Sequence, residues 1–139
     1  MFCLAPVILL AYALTMQTAA GTNSNVNGYV AEVQTCSRGL GIDVKASTAG
    51  LYGLGLQYGI PIVTVHGVTL TVLPKAGLSG SSEPRRELPM GGQFEVGAQA
   101  LLEYHKFVIG LEYWHLSNGG LKSPNIGLDL LLFQTGYKF

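Results

Sequence analysis

Charge is scarce in this chain. Only 12% of its 139 residues are charged, eight basic and eight acidic, against about 25% in ordinary soluble proteins. The net charge is zero, and the one doublet of like charge, Arg85-Arg86, is flanked by Glu83 and Glu87. No basic stripe is available for a nucleic acid, so nucleic-acid binding is excluded as a function class. Cysteine is equally sparse. Cys3 and Cys36 are the only two, too few for a thiolate metal centre, and no intrachain disulfide is expected. The three histidines, His66, His105 and His115, have no metal-ligand spacing. No metal and no organic cofactor are therefore expected. Helical periodicity with caps is absent, as is any internal repeat. After residue 20 no apolar run approaches the ~20 residues of a membrane-spanning helix.

What the chain does have is 48% hydrophobic residues, 19 glycines and short apolar alternations. That combination fits a sheet with lipid on one side. A soluble β-sandwich is the competing reading on composition alone. Residues 1–20, with an apolar stretch at Val7–Leu14 and small residues at Thr18-Ala19-Ala20, read as a secretory signal cleaved before Gly21, though without the usual basic start. The mature domain would then be residues 21–139. Strand-like runs follow at 28–36, 38–46, 50–59, 62–77 (one strand or two), 93–104, 107–118 and 125–139. The joint at His105-Lys106 is a tight turn, and Gly77–Gly92 reads as a long polar loop. Short turns alternating with long loops are the pattern of outer-membrane barrels, and a closed antiparallel barrel favours an even strand number. The expected fold is an all-β, eight-stranded antiparallel transmembrane barrel. The terminal Gly136-Tyr137-Lys138-Phe139 agrees, because bacterial outer-membrane barrels commonly end on an aromatic residue. His66 reads as part of a strand, and the Tyr and Trp residues from Tyr52 onward read as girdle or packing residues.

The segment Glu112–Asp129, EYWHLSNGGLKSPNIGLD, carries the chemistry. His115 and Ser117 are two residues apart, so on a strand they share a face. An imidazole beside a hydroxyl is the minimum needed to activate serine as a nucleophile. Phe107, Ile109, Leu111 and Tyr113 lie on that same face, whereas Glu112 and Trp114 lie on the other. The apolar row belongs outside and Glu112 inside, which turns the His–Ser pair outward. A hairpin centred on Lys122 would set His115 opposite Asp129, close enough for the side chains to meet. Asp129 shares its face with Leu131, Phe133, Tyr137 and Phe139. A carboxylate in such a row is costly and points to function. Glu95 and Glu103 share a strand face but stand too far apart for paired acid chemistry.

The run His115-Leu116-Ser117-Asn118, followed by Gly120, Pro124-Asn125 and Gly127, resembles the active-site segment of the lipid A 3-O-deacylases (the PagL-like family). The resemblance is concentrated in residues 107–139. It implies an outer-membrane barrel esterase that removes the acyl chain ester-linked at position 3 of lipid A. It also implies a catalytic His115 and Ser117, an acid at Asp129, and oxyanion donors at Asn118 and Asn125. The family commonly uses glutamate where this chain has Asp129. The implied partners are lipid A, or lipopolysaccharide, and the outer-membrane lipid around it, with the protein acting as a monomer or a homodimer. The alternative from another class is a small non-enzymatic outer-membrane barrel with an adhesion or structural role.

Overall fold

The computed structural model describes residues 6–16, 26–35, 37–83, 92–121 and 127–139. Among these are eight strands: β1 (Val7–Thr15), β2 (Gly28–Gln34), β3 (Gly39–Ser47), β4 (Leu51–Val65), β5 (Val68–Ser81), β6 (Gly92–Tyr104), β7 (Phe107–Ser117) and β8 (Leu128–Lys138). Each pairs antiparallel with the next, and β1 pairs with β8 to close the barrel. Closure leaves no strand edge unpaired. At the junction of the chain ends, Phe139 donates its backbone N–H to the Pro6 carbonyl at 3.0 Å.

Strand β1 overlaps the stretch expected as a leader. The apolar stretch Val7–Leu14 lies in the barrel wall, with Val7, Leu9, Ala11 and Ala13 buried and Ile8, Leu10, Tyr12 and Leu14 outside. Its inward side chains are as apolar as its outward ones, so the period-2 alternation that marks the other strands is hidden. The eighth strand therefore comes from residues 7–15 rather than from a split within 21–139.

Two other boundaries differ. The run at 62–77 divides at His66-Gly67, where φ values of 49° and 81° make the turn between β4 and β5. Positive φ at both central positions matches the right-handed twist of a hairpin, so His66 is a turn residue and not a strand residue. Upstream, β4 continues through Pro61 by a register shift between Pro61 and Val63. A bulge is the place where a sheet tolerates proline. The loop expected at 77–92 is shorter, because β5 runs to Ser81 and β6 starts at Gly92. Residues 84–91, with Arg85-Arg86, and both cysteines lie outside the described residues.

Strands β2, β4, β6 and β8 end on the side of the barrel where β1 begins, the short-turn end. Strands β1, β3, β5 and β7 end on the other side, the long-connection end. The interior is filled in layers. Val7, Leu9, Leu73, Leu101 and Val108 pack at the short-turn end. A larger cluster, including Ala13, Val30, Leu51, Trp114, Leu116 and Leu130, packs at the long-connection end. Between them lies a polar layer. Lys45 contacts Asp43 at 2.6 Å and Glu112 at 3.0 Å, and Lys75 contacts Glu32 and, at 3.2 Å, Glu112. Gln99 donates to Gln134 at 2.7 Å, and Gln134 in turn donates to Glu32 at 2.7 Å. The lumen is thus a packed core of the kind small barrels have, not an open channel. The outer surface carries exposed Leu54, Leu56, Ile62, Ile109 and Phe107, an apolar band of the kind that membrane barrels present to lipid.

Candidate active site

Strand β7 delivers the site by simple alternation. Val108, Glu112, Trp114 and Leu116 are buried, while Phe107, Ile109, Leu111 and Tyr113 are exposed and His115 and Ser117 half-buried. The outward row therefore runs from the short-turn end up to the His–Ser pair at the long-connection end. Behind the pair, Trp114 anchors the strand from inside: its Nε1–H donates to Glu95 at 2.7 Å, and Lys45 Nζ lies 5.2 Å from its ring centre.

The β7–β8 register pairs His115 with Asp129, as a hairpin centred on Lys122 requires. His115 Nδ1 lies 2.6 Å from Asp129 Oδ1, and the two side chains are 29% and 21% exposed. This contact orders the imidazole. With Nδ1–H given to the carboxylate, Nε2 is the nitrogen left to take a proton from a hydroxyl. Ser117 joins the pair through strand parity, one step further toward the loop end, opposite Phe94 of β6. The Asp129 backbone is held from the far side too, its carbonyl accepting Met16 N–H at 2.9 Å. The first strand of the barrel thus braces the acid.

Asn118 lies just beyond β7 and is buried. Its Oδ1 accepts the Gly120 N–H at 2.8 Å, and the Leu121 N–H donates to its backbone carbonyl at 3.1 Å. This side-chain-capped turn shapes the chain as it leaves Ser117. Asn125 lies outside the described residues.

Two residues to which the sequence assigned no part in the chemistry also reach the site. Tyr113 Oη donates to Asp129 Oδ1 at 2.5 Å, and its ring lies nearly parallel to that of His115, 6.5 Å away at 16°. Its signal was available: it is on the outward face two residues before His115, diagonal to Asp129. Gly127 passes close to the His115 ring with φ +75°.

The fold and site define a class: an eight-stranded barrel with a hydrogen-bonded His–Asp pair and a serine on its apolar outer face. The sequence profile of the lipid A 3-O-deacylase (PagL) family matches residues 12–138. The chain belongs to that family, and the match begins inside β1. No curated protein sequence matches the chain. Among solved structures, the outer membrane enzyme PagL aligns with a TM-score of 0.64 at 16% identity, covering 94% of this chain and 97% of its own. The Yersinia pestis outer membrane protein Ail in a phospholipid nanodisc aligns with a TM-score of 0.50 at 18% identity, covering 97% and 99%. At such identities both comparisons speak for the barrel fold alone.

Proposed function

We propose that this protein is a serine esterase of the Gram-negative outer membrane that removes the 3-hydroxyacyl chain ester-linked at position 3 of lipid A. Ser117 Oγ attacks the ester carbonyl carbon while its proton passes to His115 Nε2. The bond from that carbon to the sugar oxygen then breaks, and His115 returns the proton to the leaving sugar hydroxyl. Water, deprotonated by the same imidazole, attacks the acyl-Ser117 carbonyl; the bond to Oγ breaks, His115 returns the proton to Oγ, and the free fatty acid leaves. Asp129 holds the imidazole in the tautomer this requires. Asn118 and Asn125 are the candidate oxyanion donors.

One observation carries this reading. The Nδ1–Oδ1 contact of 2.6 Å lies on the outer face, beside Ser117, where an acyl chain embedded in lipid can reach it. The apolar exterior supports a membrane setting. Aromatic pairs at both ends, Tyr12 with Tyr29 and Phe107 with Tyr137, fit the two interfacial girdles. The long-connection end would then face outward, putting the site at the outer leaflet.

The test is mass spectrometry of lipid A from cells expressing the protein or its Ser117→Ala variant. Loss of one hydroxyacyl chain with the wild type and none with the variant is expected. Unaltered lipid A with a correctly assembled wild-type barrel would leave the non-enzymatic reading.

A further inference from the structure

Asp129 receives two donors on one oxygen. His115 Nδ1 lies 2.6 Å from Oδ1, and the Tyr113 hydroxyl lies 2.5 Å from the same atom. The three side chains come from two strands. Tyr113 pairs directly with Leu131 and His115 with Asp129, so the phenol reaches its acid diagonally across the β7–β8 ladder. A diagonal neighbour on one sheet face is within reach of a side chain of that length.

Tyr113 otherwise belongs to an apolar row with Ile109 and Leu111, where a leucine would pack as well and expose no polar group. A hydroxyl facing lipid has little water to bond with, so a partner in the protein matters more than it would on a wet surface. Aspartate is the shorter acid. Its carboxylate sits closer to its own strand, with fewer ways to meet an imidazole across the ladder. A second donor fixes the rotation of the carboxylate, and the phenol ring lies nearly parallel to the imidazole, its centre 6.5 Å away.

We infer that Tyr113 is a positioning residue of the catalytic site, holding Asp129 Oδ1 in line with His115 through its hydroxyl. This rests on the Ser117–His115–Asp129 reading and deepens it. Tyr113 acts through the acid and does not touch the reacting ester.

The experiment is a double-mutant cycle on purified enzyme in detergent–lipid A micelles, with Tyr113→Phe, Asp129→Asn and the double variant. Phenylalanine keeps the ring and its packing and removes only the hydroxyl. Tyr113→Phe should lower kcat about 10-fold with little change in KM, the scale of one hydrogen bond to a charged group. It should also displace the acid limb of the pH–rate profile. In the Asp129→Asn background the same change should cost less than about 2-fold, because residues that act through one another are not additive. Equal losses in both backgrounds would mean that Tyr113 merely supports the strand, and would overturn the inference. Wild-type kcat and pH profile for Tyr113→Phe beside a damaged Asp129→Asn would overturn this inference alone. A wild-type rate for Asp129→Asn would remove the acid from the site, and this inference with it.

Discussion

Gly127 lies against the edge of the His115 imidazole: a methyl group there would stand 3.0 Å from Cε1 and 3.2 Å from the Leu116 carbonyl oxygen. Its φ of +75° also lies in the left-handed region that side-chain-bearing residues avoid. Gly127→Ala should therefore push either the loop or the imidazole out of place. Strain of about 1–3 kcal/mol is expected. If the ring absorbs it, deacylation falls about 10-fold or more with the barrel intact. The check is kcat alongside the gel mobility of unheated protein. A full rate would show that the backbone at Gly127 gives way and the ring stays in place.

Asp129→Asn should cost between ~10² and ~10⁴ in kcat, because an amide favours the wrong imidazole tautomer. The lower part of that range is expected for a pair that is 29% and 21% exposed, where solvent and headgroups screen the carboxylate. Asp129→Glu should stay within about 10-fold of wild type, since it keeps the charge and restores the acid type common in the family. Kinetics of both variants on lipid A decide the matter. An Asn variant at full rate would reduce the site to a Ser–His dyad.

The two interior lysines should matter for stability in a way that Lys138 does not. Lys75 contacts Glu32 and Glu112 with every partner buried, whereas Lys138, 3.2 Å from Glu103, is 29% exposed. Lys75→Met leaves buried carboxylates without their ammonium and should destabilise by about 3–5 kcal/mol. Lys138→Met should cost less than about 1 kcal/mol. Urea titrations in lipid vesicles compare the two, and equal midpoints would deny the polar layer its structural role.

Removing residues 1–20 should destroy the barrel rather than mature it. The deletion takes away β1, leaves β2 and β8 with open edges, and frees the Asp129 carbonyl from Met16. Unpaired backbone groups cannot be left in lipid. The full chain should run faster before heating than after it, and the deletion variant should show a single, unfolded mobility. A compact, active deletion variant would instead support cleavage before Gly21.

The outward face of the site was legible because strand parity is local. His115, Ser117 and Tyr113 share a side of β7 whatever the rest of the chain does, and Glu112 is driven inside by its charge. The pairing of His115 with Asp129 was nearly as local, since one hairpin register decides it. The role of Tyr113 was not seen. A tyrosine in an apolar row looks like an interfacial packing residue until the diagonal neighbour across the ladder is known.

By itself, then, the amino-acid sequence determined the all-β class, the faces of β7 and β8, and the candidate triad, all of which depend on period-2 alternation and one turn. Closure of the barrel decided the rest. It made residues 7–15 a wall strand, because an apolar run has no alternation to declare itself and becomes a strand only when β2 and β8 offer it partners. It also gathered Glu32, Lys75, Glu112 and Gln134 from four different strands into one layer. Glu32 and Gln134, which bond at 2.7 Å, are 102 residues apart in the chain. Contacts at that separation depend on strand tilt and stagger around the whole barrel, which no local pattern encodes.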